Sequence, residues 1–318
     1  MATHQDGDII LSVVIPLLNE EGNVEALLTR LLPVLRGLAV PYEIVLVDDG
    51  SRDQTWDAIR RCAVNIPEIK GLALSRNFGH QHALLAGLTH ARGAAIVSMD
   101  GDLQHPPEVI PELLTAWRQG YKVVNAIRQD QGVNSTFKRL TSKYFYWIFS
   151  KLADVHIAEG SSDFRLIDRQ VQEQLERFND VDLFLRGAVQ YIGLPSTTVH
   201  FALDNRFAGR SKYNLRRMGK LAAGAVVSFS TKPLRIGIWL GVLMSGLAFV
   251  ELIYVLVRYL QGATVSGWAS IMGVLSLLFG MLFVMLGIIG TYLASIHRAL
   301  QDRPRFIVKE MLNIDQNR

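Results

Sequence analysis

The sequence is poor in the groups that cross-link a secreted protein or build a structural metal site. Its 318 residues include one cysteine, Cys62, so no internal disulfide framework can form, and the chain suits a reducing compartment. With no cluster of Cys and His, zinc is not expected either. The amino terminus, MATHQDGDII, has no basic stretch followed by a long apolar run and a small-residue cleavage site, so the first domain is expected to stay in the cytoplasm. No Gly-x-Gly-x-x-Gly follows the first apolar run, which argues against a dinucleotide oxidoreductase. Acids are missing over one long interval: from Asn205 to Val250 there are eight Lys or Arg residues and no Asp or Glu, although the whole chain carries only +4. A basic block beside an apolar segment points to anionic lipid headgroups or substrate phosphates as partners.

Long apolar runs, by contrast, are present. Residues 236–257 contain one charge, Glu251, and residues 268–296 contain none. Each can cross about 30 Å of hydrocarbon at about 1.5 Å per residue, and neither has the polar face of a soluble helix. Basic residues precede the first run and follow the second (His297, Arg298, Arg303, Arg305, Lys309), while the connecting loop has one, Arg258. The positive-inside rule then predicts two transmembrane helices with both termini in the cytoplasm. Gly237, Gly241 and Ser245 recur every four positions and permit close packing on another helix, in the same chain or in a homo-oligomer.

The first 200 residues read as α/β. Short apolar runs at 11–16, 43–47, 71–74, 94–99 and 122–126 suit buried strands. Helical stretches at 24–36, 55–62, 80–91 and 108–118 alternate with them, and Ser51 to Gln54 has capping-box spacing for the second helix. Alternation implies a mostly parallel sheet whose ligands bind beyond the carboxyl ends of the strands. Polar residues follow those ends directly: Asn19-Glu20-Glu21, Asp48-Asp49-Gly50-Ser51 and Asp100-Gly101-Asp102. Any one of these is a weak signal, since acids at strand ends also cap helices. Their succession is not.

The series VVIPLLNEE, VLVDDGSRD, LSRNFGHQHAL and VSMDGDLQHPPE resembles the family 2 glycosyltransferases with the nucleotide-diphospho-sugar (GT-A) fold. The segments NAIR, SSDFRL and RFAGRSKYN, followed by two spans, are similar to the polyprenyl-phosphate glycosyltransferases, including bactoprenol glucosyl transferases and dolichol-phosphate mannose synthases. This resemblance implies a cytoplasmic GT-A domain over 1–205, a basic acceptor loop and interfacial helix over 206–235, the spans over 236–296 and a cytoplasmic tail over 297–318. It implies a multi-pass protein of the cytoplasmic membrane. Its partners are a nucleotide-sugar donor and a polyprenyl-phosphate acceptor, with no role for nucleic acid.

The implied chemistry fits the residue types. A nucleotide-sugar donor develops charge on its leaving diphosphate, which a divalent ion and fixed cations stabilise. Asp100 and Asp102 offer hard oxygen ligands for Mg²⁺ or Mn²⁺, with Asp100 alternatively serving the ribose. The resemblance assigns the nucleoside pocket to Pro16, Leu18, Glu20 and Asp49; Arg76 either supports that pocket or pairs with a structural carboxylate. Acceptor phosphate falls to Arg128, Arg165, Arg206, Arg210, Ser211 and Lys212, Arg as a bidentate fork and Lys as a point charge. Asp163 is placed near the reaction centre, as a base or as a positioning group. The implied reaction is an inverting single displacement, with UDP-glucose the leading donor and GDP-mannose the alternative. A processive polysaccharide synthase would need a Gln-x-x-Arg-Trp motif, which the chain lacks, and a noncatalytic membrane adaptor would leave these acids and bases without a use.

Overall fold

The computed structural model of the chain describes residues 9–128, 161–178, 184–201, 232–262, 267–301 and 303–314. It contains two compact units: Met1–Tyr146, Val155–Tyr213 and Arg303–Arg318 form one, and Trp147–Asp154 with Asn214–Asp302 the other.

The first unit is built on one sheet. In chain order its elements are β1 (Leu11–Leu17), α1 (Val24–Gly37), β2 (Tyr42–Asp48), α2 (Thr55–Asn65), β3 (Ile69–Leu74), α3 (His80–His90), β4 (Ala95–Ser98), α4 (Ile110–Arg118), β5 (Val123–Arg128), β6 (Ser161–Asp168), α5 (Arg169–Glu176), α6 (Leu185–Ile192) and β7 (Ser196–Phe201). The second unit contributes α7 (Lys232–Leu260) and α8 (Trp268–Leu300), after which the chain returns to the first unit as β8 (Val308–Leu312). The strand order is β7-β5-β6-β4-β1-β2-β3-β8. β1 to β4 are parallel, as expected, but β6 runs antiparallel to β4 and β5, and β8 antiparallel to β3, so the sheet is mixed.

The central strands are rich in Val, Ile and Leu because both faces are covered; all seven residues of β1 are buried. Successive side chains point to opposite faces. Val13 and Ile15 join the core under α1, α2 and α4, and Val14 joins the one under α3, α5 and α6. On α1, Leu27, Leu31 and Leu35 form the inward stripe at fourth positions, each contributing about 1.5–3 kcal/mol by leaving water. α3 lies very close to the sheet, since a Cβ on Gly87 would stand 2.3 Å from a Val14 methyl.

Topology then fixes where a ligand can go. The chain runs outward through β1, β2 and β3 and returns to place β4 on the other side of β1, so the switch point lies between β1 and β4. Loops leaving these two strands diverge and open a crevice at their carboxyl ends. Asn19 and Asp100 stand at that crevice.

Two local expectations need correction. α2 starts at Thr55, where Asp53 Oδ1 accepts the Thr55 N–H (3.1 Å); Ser51 is no cap, its hydroxyl instead accepting the Asn19 N–H (2.9 Å). The residues after the second apolar run are more than a tail, because β8 completes the sheet. Glu310 on β8 accepts from Trp56 Nε1 (2.9 Å) and Arg60 (2.8 Å) on α2. Asn313 Nδ2 donates to the carbonyls of Ala63 and Ile69 (2.8 and 2.9 Å).

Within the second unit, α7 and α8 each contain a segment long and apolar enough to cross a membrane, Gly237–Leu260 and Gly273–Leu300. Gly237 packs on Met285, the methyl 3.3 Å from where a Cβ would be. Among the described side chains, the partly buried residues of α7 are Leu234, Gly241, Met244, Ala248, Glu251 and Arg258, spaced by three, four or seven, as in a left-handed helix pair. Ser245 falls off that seam and is exposed.

Candidate active site

The loop after β1 is tied to the loop after β2. Asn19 takes a positive φ of 55°, which its short side chain tolerates, and its Oδ1 accepts the Arg52 N–H (2.9 Å). Glu20 donates its N–H to Thr55 Oγ1 (2.9 Å), and its carboxylate accepts from Asn23. Burial raises the Glu20 carboxyl, the Asn23 hydrogen bond opposes that, and the nearby Asp102 charge adds to the rise. Glu20 therefore faces the Asp102 turn.

Asp48 and Asp49 end β2, and both are buried. Asp48 Oδ1 accepts the Ser51 N–H (3.1 Å). Asp49 accepts the N–H groups of Phe78 (2.8 Å) and Gly79 (3.0 Å), the orphan donors at the start of α3. Burial raises its carboxyl while those two N–H groups pull the other way. Gly50 makes this approach possible: its φ is +66°, and a Cβ there would lie 2.4 Å from the Arg76 carbonyl carbon. Arg76 lies over the Phe78 ring, 4.1 Å from its centroid. Asp49 thus fixes the turn from which His80 projects.

His80 opens α3 and meets two carboxylates, its Nε2 standing 3.3 Å from Asp163 Oδ2 and 3.5 Å from Asp100 Oδ1. Burial disfavours its charge, but the hydrogen bond to Asp163 and the charge of Asp100 leave its pKa raised. Asp163, only 4% exposed on β6, is the hub. Arg186 on α6 grips it bidentately (Nε–Oδ1 2.8 Å, NH2–Oδ2 2.9 Å), Gln81 Nε2 donates at 3.2 Å, and Arg165 NH2 lies at 3.5 Å. Burial would raise this carboxyl, yet the hydrogen bonds from His80 and Arg186 and the Arg186 and Arg165 charges hold it well below the usual carboxylate range.

The turn after β4 carries the other acids. Asp102 is exposed, and its carboxylate accepts from the Gln104 N–H (3.1 Å) and Gln104 Nε2 (2.7 Å). Leu103 between them has φ +62°, a conformation that costs a side-chain-bearing residue about 1–2 kcal/mol. Asp100 donates its N–H to His105 Nδ1 (2.9 Å). Its Oδ1 is buried without a hydrogen-bond partner among the described residues. Burial raises the Asp100 carboxyl against the opposing charges of His105 and His80, and burial lowers His105.

Acids follow the ends of β1, β2 and β4, and the one after β4, Asp100, meets the Arg-clamped Asp163 through His80. Residues 12–176 match the family model for Glycosyl transferase family 2. The chain belongs to glycosyl transferase family 2. The "Uncharacterized glycosyltransferase YkcC" of Bacillus subtilis is 37% identical over 308 residues, 96% of this chain and 95% of that protein. The "Bactoprenol glucosyl transferase" of Shigella phage SfII is 33% identical over 94% of this chain and 97% of its own length. The "Uncharacterized glycosyltransferase sll0501" of Synechocystis is 36% identical over 96% and 97%.

In this glycosyltransferase the residues expected to act together fall into three groups. Asp100 and Asp163 meet through His80, and Glu20 feels Asp102. Pro16 pairs with Val47 at the end of β1, Leu18 is 39% exposed, and Asp49 is occupied with the α3 turn. Arg165 departs from expectation: at 6% exposure it is buried beside Asp163, and burial brings its guanidinium down to about 10. Arg128 is the last residue of β5, opposite Phe201. Arg206, Arg210, Ser211 and Lys212 lie outside the described residues.

Sequence reasoning gave no role to His80, Gln81, His105 or Arg186. The first three were within reach, since they sit in the FGHQH and DLQHPPE motifs beside residues that were chosen. Arg186 had no local signal. Its partner is 23 residues away on another element.

Proposed function

We propose that this glycosyltransferase moves a hexose, glucose from UDP-glucose, onto a polyprenyl phosphate with inversion at the anomeric carbon. The observation that carries this reading is the pairing of an orphaned acid with a clamped one. Asp100 has a buried carboxylate oxygen without a hydrogen-bond partner among the described residues, and His80 joins it to Asp163, whose negative charge Arg186 locks in place. The acceptor class is suggested by the bactoprenol glucosyl transferases, alike over nearly the whole chain.

Asp100 and Asp102 fit a divalent cation, because both are hard oxygen donors and Asp100 Oδ1, although His80 stands 3.5 Å away, has no hydrogen-bond partner among the described residues. These two would hold Mg²⁺ or Mn²⁺, which supplies electrostatic stabilisation of the leaving diphosphate. Pro16, Leu18, Glu20 and Arg76 border the nucleoside, and Asp49 supports that wall through the Phe78–Gly79 turn. Arg128, Arg206, Arg210, Ser211 and Lys212 take the acceptor phosphate. The phosphate oxygen bonds to the anomeric carbon as the bond from that carbon to the nucleoside diphosphate breaks. A phosphate monoester with a second pKa of about 6 is largely ionised at neutral pH, so no general base is required. Asp163 therefore acts as an anchor for Arg186 and His80.

The length and apolar character of α7 and α8 support membrane attachment. The chain leaves the catalytic unit before α7 and rejoins it in β8 after α8, so two crossings return it to its starting side. With the basic flanks, that side is the cytoplasm.

The test is transfer from radiolabelled UDP-glucose to undecaprenyl phosphate in detergent, with and without Mg²⁺ or Mn²⁺, beside Asp102→Ala. Metal-dependent labelled lipid, lost in the variant, is the expected result. Labelling from GDP-mannose alone would transfer the assignment to a mannosyltransferase. Folded protein inert towards every donor would leave the adaptor reading.

A further inference from the structure

We infer that His105 is a positioning residue whose Nδ1 sets the Asp100–Asp102 turn and registers it against the strand carrying Asp163. The inference rests on the proposed role of that turn as the donor and metal site. Nδ1 accepts the Asp100 N–H at 2.9 Å, closing the turn five residues on. An N–H donor at that nitrogen's position would abolish the contact, so the ring presents its acceptor side to the turn. This bond meets a turn that is otherwise unfavourable, with positive φ at Leu103.

The ring's other contacts lead to the acceptor side. His105 stacks on Phe164, centroids 4.9 Å apart and planes 18° from parallel, and Phe201 meets both rings edge-on (6.3 Å to His105, 5.6 Å to Phe164). Phe164 is fully buried between Asp163 and Arg165. β4 and β6 pair up to Ser98↔Arg165, and the register carried two residues further sets Asp100 opposite Asp163. One imidazole therefore holds the turn by a hydrogen bond and the neighbouring strand by its ring face. The two acids His80 bridges on the open side share a support on the buried side.

The roles separate by substitution. His105→Phe keeps the stack and deletes the acceptor; His105→Asn restores an acceptor near the Nδ1 position without the ring. Binding of Mn²⁺ in the presence of UDP, read by the paramagnetic signal of free Mn²⁺, needs no turnover, and steady-state kinetics accompany it. His105→Phe is expected to bind Mn²⁺ about 10- to 100-fold more weakly and lose kcat in step, with the acceptor KM unchanged; His105→Asn is expected to recover Mn²⁺ affinity to within about threefold of wild type but, lacking the ring, to raise the acceptor KM. Wild-type Mn²⁺ affinity in His105→Phe overturns the inference, as does a folded His105→Asn that binds no better than His105→Phe. Should His105→Phe not fold, His105→Asn decides alone, a tenfold loss in the folded protein overturning it. Wild-type protein that binds no Mn²⁺ with UDP would instead overturn the reading of Asp100 and Asp102, and this inference with it.

Discussion

Arg186 grips Asp163 with two parallel hydrogen bonds of 2.8 and 2.9 Å, joining α6 to β6 at the centre of the site. A fork of this kind fixes direction as well as charge. It also leaves Asp163 a poor base, since a carboxyl held well below its usual range has little drive to take a proton.

Removing the anion should therefore damage turnover without altering its pH dependence. Asp163→Asn is expected to lower kcat by about 100-fold, the scale of losing one preorganised electrostatic element. The acidic limb of the rate profile should stay near the acceptor's second pKa of about 6 in both proteins. A limb present in wild type and absent in the variant would restore Asp163 as the base.

The Gly50 approach predicts a second effect. Gly50→Ala forces a side chain into φ +66° and into the Arg76 backbone, displacing the turn that presents His80. A misplacement of about 1 Å can cost about 100-fold in rate. Stopped assays on folded Gly50→Ala should show turnover falling by at least about tenfold, and unchanged kcat would mean the turn yields without consequence.

Asp168 gives a stability prediction away from the reacting groups. It accepts from Lys122 Nζ (2.9 Å), Trp117 Nε1 (2.8 Å) and the Gln170 N–H (2.9 Å). Burial raises its carboxyl, but these hydrogen bonds prevail and its pKa is lowered from 3.8. The sign follows: the folded form binds the proton less readily, so the stabilisation is complete above 3.8 and disappears as pH falls through the lowered value. Asp168→Asn should cost about 1–3 kcal/mol at neutral pH, with the gap to wild type closing in acid. Thermal melts across a pH series read both.

The last strand can be tested by subtraction. Asn313→Ala removes two hydrogen bonds to main-chain carbonyls and should cost about 1–2 kcal/mol. Deleting 304–318 should leave the outer edge of β3 unpaired, seen as rapid hydrogen exchange of its outward amides. Slow exchange there in the truncated protein would show that β8 is dispensable.

The strands and helices up to residue 128 were legible because their patterning is local: buried parallel strands read as apolar runs, and α1, α2 and α4 carry a one-sided stripe while α3 is an apolar run long enough for a helix. The acids at the strand ends were legible for the same reason, each directly following its strand. β8 escaped because five residues with adjacent Lys309 and Glu310 look like a solvated tail until β3 and α2 are set beside them. The burial of Arg165 was not legible because sequence gives the charge but not the face. On β6 it shares its side of the sheet with Asp163, and that side is covered by α3 and α6. Arg186 and the His105–Phe164 stack depend on contacts between distant elements, which no window along the chain contains.

β8 has a consequence for how the protein comes into being. The ribosome completes β1 to β7 first, then makes the two long apolar helices, and only afterwards supplies the strand that completes the sheet. Until then β3 is an open edge, able to pair with other chains. Synthesis of both apolar helices is thus a precondition for finishing the enzyme: a polypeptide that stalls before or within α7 and α8 never receives its eighth strand.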